Sequence, residues 1–250
     1  MPQRTALYAG TRNLYHDMVV CAKSLLYHDG ADHVIFLTED DTFPEDLPPC
    51  FEIINVSGQK YFPPSGPNYH SRWTYMVLMR TALCYLLPHL DRILVLDCDT
   101  IVNKPIDYLW DVDITPYYFA MVEEKQIKNR SHPYFNFGVA IHNLAKLRDG
   151  TADTIIRTIN SVQLQYCEQD AVNSVCTRHV LELPPEYNAT FFNIPRIPDG
   201  EEYIKHYAAW RPFNTKPGYA TYDALTWDQV LHMKQKGESK PCRTEKRKPN

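Results

Sequence analysis

Short apolar runs alternate with stretches of helical period through the first half of the chain. Leu7-Tyr8-Ala9 has the length of a short strand. From Tyr15 to His28 the apolar positions Tyr15, Met18, Val19, Ala22, Leu25 and Leu26 repeat at helical spacing. Val34-Ile35-Phe36-Leu37 is uninterrupted, as in a strand buried on both faces, and Phe51 to Val56 predicts a third strand. Strands alternating with helices predict an α/β fold with a mostly parallel, doubly wound central sheet flanked by helices. Such sheets bind ligands beyond the carboxyl ends of their strands.

Residues 58–70, GQKYFPPSGPNYH, have no period and three prolines, so they predict a loop. Ser71 predicts the N-cap of a helix that runs to about Leu87 and stops at Pro88. Its apolar face is Trp73, Met76, Val77, Leu83, Cys84 and Leu87, and Arg80 falls on that same face. A charge on a core-facing stripe is costly unless paired. Either Arg80 snorkels to the edge of the core, or it meets an anionic group at the carboxyl edge of the sheet.

The second half carries the candidate chemistry. Ile93 to Leu96 predicts a fully buried strand, and Asp97 and Asp99 follow at once with Cys98 between them. Two carboxylates so close at a strand end repel each other unless a cation lies between them, and hard divalent cations prefer oxygen ligands. The plainer alternative is a turn in which one Asp caps the next segment. Tyr134 to Leu144 predicts another strand, with Asn136 and Gly138 at its start. Glu168-Gln169-Asp170 stands ahead of a helix beginning at Ala171, where acidic residues also serve as caps. Tyr203 to Ala208 predicts a short strand containing His206, a residue that gains a metal-ligand reading only in company with Asp97 and Asp99.

Composition narrows the classes. The 250 residues are 44% hydrophobic and 22% charged, enough to bury a sizeable core. A formal charge of −4 gives no global attraction for nucleic acid. Glycine is scarce, and neither a dinucleotide-binding glycine fingerprint nor a P-loop spacing occurs. Seven cysteines with no C-x2-C pair predict reduced thiols and a cytoplasmic setting. No leader-like apolar region opens the chain, and no apolar run reaches the ~20 residues of a membrane span. From about Met233 the chain turns basic and nearly free of apolar residues. Residues 233–250 therefore predict a disordered tail, either solubilising or a peripheral contact with an anionic inner-membrane surface.

Taken in order, these motifs resemble glycosyltransferase family 8, the retaining nucleotide-sugar transferases of GT-A fold, and are similar to its compact bacterial galactosyl- and glucosyltransferases. Ala9-Gly10-Thr11-Arg12-Asn13 precedes Lys23-Ser24-Leu25-Leu26. Then come Arg80, Asp97-Cys98-Asp99, Phe135-Asn136-Phe137-Gly138-Val139, Glu168-Gln169-Asp170 with Asn173, and His206-Tyr207 ahead of Trp210-Arg211-Pro212-Phe213. The resemblance covers roughly residues 5–213 and implies a catalytic domain over 1–232. It implies that Asp97, Asp99 and His206 bind Mn2+ (or Mg2+), which holds the diphosphate of a UDP-sugar donor. Ala9, Gly10, Thr11 and Asn13 would contact uracil and ribose, with Cys98 in the same donor-binding set. Arg80, Asn136, Glu168 and Gln169 would surround the donor sugar, and Arg211 would meet the diphosphate. Gln169, Asp99 and Arg80 are the implied catalytic residues.

The implied reaction moves glucose or galactose from UDP-glucose or UDP-galactose to a hydroxyl of a glycan, a lipid-linked or a protein acceptor. A self-glucosylating, glycogenin-like primer and a non-catalytic sugar-nucleotide or glycan binder are the alternatives. Three positions depart from the family pattern: Glu168 stands for Asp, Ala209 for Gly and Arg211 for Lys.

Overall fold

The computed structural model describes residues 3–127, 132–198, 200–208 and 212–237. Among the described residues nine strands run in the order β1 (Thr5–Ala9), β2 (His33–Thr38), β3 (Phe51–Asn55), β4 (Arg92–Leu96), β5 (Thr100–Val102), β6 (Phe119–Glu123), β7 (Phe135–Asn143), β8 (Val180–Glu182) and β9 (Ile204–His206). Seven of them form one sheet in the order β3-β2-β1-β4-β7-β6-β8, and β5 pairs with β9 in a second, two-stranded sheet. β1, β2, β3 and β4 are mutually parallel. β7 is antiparallel to both of its neighbours, while β8 is parallel to β6. The predicted mostly parallel sheet is therefore present, with β7 alone reversed.

That reversal positions the site. Tyr8 lies opposite Leu96 in the β1–β4 register, and Leu96 lies opposite Val139 in the β4–β7 register. The carboxyl ends of β1 and β4 thus share one edge with the amino end of β7. Asn136 and Gly138 arrive there because β7 begins where its neighbours end.

The central strands read as apolar runs because both faces are covered. Ala6 and Tyr8 of β1 belong to one core, packed on the helix Tyr15–Tyr27, while Leu7 belongs to the other. The second core is closed by the helices Thr151–Ser161 and Cys167–Cys176. β3 is an edge strand, and its exposed Glu52, Ile53 and Asn55 reflect that position.

The predicted helix over 71–87 is broken into three pieces: a helix Thr74–Met79, a 3-10 turn Arg80–Ala82 and a helix Leu83–Leu86. It starts late because Thr74 adopts φ 66°, outside the helical region, while the Ser71 hydroxyl accepts from the Trp73 amide. Leu78 and Met79 are buried as well, although they lie off the predicted stripe, because the segment is enclosed on more than one side. The tightened winding falls on Arg80. The helix expected at Ala171 begins at Cys167 instead. Asp170 reaches back to accept from the Tyr166 amide at 2.8 Å, and this satisfies a helix-end donor.

The predicted boundary at 232/233 lies inside the helix Trp227–Gly237. This helix is anchored by Trp227, whose ring is 5.0 Å from that of Phe51 and 5.3 Å from the Lys23 ammonium, and by the buried Val230. Residues 238–250 of the predicted tail lie outside the described ones. Six cysteines are free thiols among the described residues, and no helix there is long and apolar enough to cross a membrane.

The loop over 58–70 is aperiodic but not loose. Asn68 is buried, donates to the carbonyls of Ile159 at 2.6 Å and Val162 at 2.8 Å, and accepts from the Leu164 amide at 2.9 Å. Asn68→Ala strands these groups, and we expect it to lower unfolding free energy in urea by about 1–3 kcal/mol. A loss within error of zero would show that water replaces the amide.

Candidate active site

β4 ends at Leu96 and the chain turns at once. The Asp97 amide donates to the Gly138 carbonyl at 2.7 Å, and the Thr100 hydroxyl donates to the Asp97 carbonyl at 2.8 Å. The Cys98 thiol points the other way and donates to the Ala9 carbonyl at 3.2 Å, tying this turn to the loop after β1. Pairing of β5 with β9 sets Thr100 opposite His206, and the Tyr207 amide donates to the Asp99 carbonyl at 2.9 Å. His206 Nε2 consequently lies 3.3 Å from Asp97 Oδ2 and 3.2 Å from Asp99 Oδ1.

One ligand atom from each of Asp97, Asp99 and His206 falls within a 4.8 Å span. Two carboxylates and an imidazole suit Mn2+ or Mg2+ by donor chemistry. The space is kept clear by Gly138: a Cβ there would stand 2.2 Å from His206 Cε1 and 2.6 Å from Asp97 Oδ2. These residues fit the group that the sequence implied.

The carboxylate repulsion is relieved here by protein cations. Arg80 is 5% exposed and is shared between Asp97, through Nη1, and Glu168, through Nη2. Its Nε donates to the Val77 carbonyl at 3.3 Å. Arg80 thus neither snorkels nor stands free: the anionic groups at the sheet edge are on the protein. Burial pushes the Asp97 pKa up, but Arg80 and His206 outweigh it and hold Asp97 below the ordinary carboxylate range. Burial disfavours the His206 cation, yet Asp99 and Asp97 overcome this and raise its pKa to about 10. Glu168 is buried deeply enough that desolvation outweighs Arg80 and raises its pKa.

Behind His206 stands a chain of side chains, of which the sequence marked only Asn136. His206 Nδ1 lies 2.8 Å from Asn188 Oδ1, Asn188 Nδ2 donates to Asn136 Oδ1 at 2.8 Å, and Asn136 Nδ2 donates to Glu124 Oε1 at 2.7 Å. Asn136, expected at the donor sugar, is engaged in this chain. Asn188 and Glu124 carry no spacing signature that could have singled them out.

Gln169 is also tied to β7. Its Oε1 accepts from the Phe137 amide at 2.9 Å and its Nε2 donates to the Tyr134 hydroxyl at 3.1 Å. Asn173 joins the same helix to Phe135, accepting from its amide at 2.7 Å and donating to its carbonyl at 2.8 Å.

In the loop after β1, the Gly10 amide donates to the Leu37 carbonyl at 3.2 Å, and a Cβ at Gly10 would meet Met18 Sδ at 2.8 Å. The Thr11 hydroxyl donates to Asn13 Oδ1 at 2.6 Å. The structure therefore bonds Arg80, Asp97, Asp99, Glu168 and His206 into one cluster. It connects Ala9 through Cys98, and Asn136 and Gln169 through β7. Arg211 and Ala209 lie outside the described residues.

The fold and this cluster match known proteins. Residues 9–208 match the model of glycosyl transferase family 8, and the chain belongs to that family. It is 32% identical over 111 residues to General stress protein A of Bacillus subtilis, covering 39% of each protein. It is 26% identical over 171 residues to glycosyltransferase GlyA of Streptococcus pneumoniae, covering 64% of this chain and 24% of GlyA. The chain thus spans less than half the length of these curated relatives. Among solved structures, the galactosyltransferase LgtC, crystallised with donor and acceptor sugar analogues, superposes with a TM-score of 0.67 at 18% identity, over 92% of this chain and 99% of that one. Glycosyltransferase GlyE of Streptococcus pneumoniae superposes with a TM-score of 0.71 at 19% identity, over 97% of this chain and 66% of that one. The fold is GT-A.

Two stability outcomes follow from the cluster. Removing Arg80 leaves the Glu168 carboxylate buried without a counter-charge, so Arg80→Met should cost about 3–5 kcal/mol. The double variant Arg80→Met/Glu168→Gln should recover a large part of this. Equal losses in urea for the single and double variants would mean that the Arg80–Glu168 pair is not the source.

The second outcome concerns His142. Its ring stacks 5.1 Å from that of Phe137, over which the Arg80 guanidinium lies at 5.2 Å. His142 is fully buried and neither ring nitrogen has a partner among the described residues. Burial, aided by the Arg80 charge, lowers its pKa from 6.5 to about 3. The unfolded chain therefore binds more protons between these values. The contribution of His142 is complete above pH 6.5 and is lost as pH falls toward 3, by about 1.4 kcal/mol per pH unit. His142→Leu should flatten the fall in urea stability by nearly that slope between about pH 5.5 and 4, where the unfolded imidazole is almost fully charged, and an unchanged slope would assign acid sensitivity elsewhere.

Proposed function

We propose that this chain is a retaining hexosyltransferase that moves glucose or galactose from UDP-glucose or UDP-galactose to an acceptor hydroxyl. The observation that carries this reading is the Asp97–Asp99–His206 cluster at the carboxyl edge of the sheet, joined by Cys98 to the loop that follows β1. Asp97, Asp99 and His206 would hold Mn2+ or Mg2+, which when bound supplies Lewis-acid charge for the donor diphosphate.

In this reading Ala9, Gly10, Thr11 and Asn13 bind uracil and ribose, and Arg211 adds fixed positive charge at the diphosphate. Arg80 and Glu168 together wall the donor sugar, Arg80 held in place by its two carboxylates. Gln169 presents its amide dipole to the reacting carbon from a side chain already fixed to β7. Bond breaking leaves negative charge on UDP and positive charge on the sugar ring. The departing phosphate oxygen takes the proton of the acceptor hydroxyl as the new bond forms on the same face, which retains configuration. The acceptor is a glycan, a lipid-linked or a protein acceptor, and the setting is cytoplasmic.

The full chain, incubated with each UDP-sugar and Mn2+, should release UDP while its own mass stays constant. Chelator should abolish the release. Mass gain in hexose steps would instead support self-glucosylation, and UDP binding without release would support a non-catalytic binder. Asp99→Asn should reduce release to the chelator level. It should also lower the metal-free melting temperature slightly, because it removes a carboxylate partner of His206. Full activity in Asp99→Asn would remove Asp99 from the site.

A further inference from the structure

We infer that Asn188 and Asn136 are positioning residues that fix which nitrogen of His206 carries a proton, and so leave Nε2 as the metal-facing atom. This rests on the metal reading of Asp97, Asp99 and His206 given above. The inference comes from the direction of the hydrogen-bond chain, which is set at its far end. The Gly138 amide donates to Asn136 Oδ1 at 2.9 Å, and a backbone N–H can only donate. Asn136 Nδ2 faces Glu124 Oε1 at 2.7 Å, and a carboxylate can only accept. These two groups settle the orientation of the Asn136 amide, which is otherwise ambiguous between oxygen and nitrogen.

Asn136 Oδ1 must then receive a donor from Asn188, and Nδ2 of Asn188 lies 2.8 Å away. With its nitrogen committed there, Asn188 turns its oxygen to His206 Nδ1, also at 2.8 Å. An oxygen acceptor at that distance requires a proton on Nδ1. Nε2 faces the acceptor oxygens of Asp97 and Asp99, and it is thereby the nitrogen that would give up its proton to a metal while Nδ1 keeps its own. Asn188 is fully buried and His206 is 3% exposed, so water does not substitute for the links. The backbone of β7 therefore dictates the tautomer of a residue on β9.

Mn2+ binding, followed by electron paramagnetic resonance on the full chain with UDP present, tests this without turnover. Asn188→Leu removes the acceptor at Nδ1 and should weaken Mn2+ binding about 10–100-fold. Asn136→Leu does not touch His206 in sequence or contact, but it frees the Asn188 amide to turn over, and it should also weaken Mn2+ binding. The pair Asn136→Asp/Glu124→Gln exchanges donor and acceptor at the outer link while keeping an oxygen toward Asn188, and it should bind Mn2+ as the wild type does.

Nitrogen-15 NMR of wild-type His206 with Mg2+ should report a protonated Nδ1 and a bare Nε2, and it reads out the inference even if a leucine variant fails to fold. The opposite tautomer overturns the inference. So does wild-type Mn2+ affinity in both leucine variants, with the proposed function left standing. A wild-type chain that binds neither Mn2+ nor Mg2+ overturns both.

Discussion

A guanidinium buried at the edge of a sheet persists only where carboxylates meet it, because desolvation of the cation must be repaid by close charge and full hydrogen bonding. Arg80 meets this condition with one carboxylate from the turn after β4 and one from the helix Cys167–Cys176. Three segments far apart in sequence are thereby locked to a single side chain. The 3-10 winding at Arg80–Ala82, the burial of Glu168 and the orientation of Asp97 are all aspects of that arrangement. It also offsets the repulsion between two aspartates crowded at one strand end, because each carboxylate of the cluster faces a basic group of the protein.

The edge depends equally on the reversal of β7. A parallel strand at that position would deliver its carboxyl end beside Asp97. The antiparallel strand delivers Gly138 and the Asn136 amide instead. Gly138 contributes an empty volume, a carbonyl for the Asp97 amide and an amide for Asn136. Position 138 thus shapes the Asp97–Asp99–His206 cluster without contributing a side chain to it.

Much of the fold was legible in the sequence. The apolar runs of β1, β2 and β4 are long and bounded, and central strands buried on both faces leave that pattern. The Asp97-Cys98-Asp99 run was legible because paired carboxylates after a buried strand are unusual. Helix starts were less legible: Thr74 and Cys167 both take positive φ, which no local spacing announces. The pairing of Arg80 with Glu168 spans 88 positions and follows only from how two helices pack on the sheet. Asn188 and Glu124 were invisible for a related reason. A chain of amides is defined by direction in space, and neither residue type is rare enough in sequence to stand out.

The placement of His206 on β9, the last strand among the described residues, bears on how the protein is made. Chains emerge from the ribosome amino end first, and domains begin to fold as they emerge. Every strand of the main sheet, and both aspartates, precede β9 in the chain. A nascent or prematurely ended polypeptide can thus contain every strand of the seven-stranded sheet while still lacking the imidazole that joins the two aspartates. The three-residue cluster is complete only once β9 has been made, so a chain ended before it carries both aspartates without the imidazole that faces them.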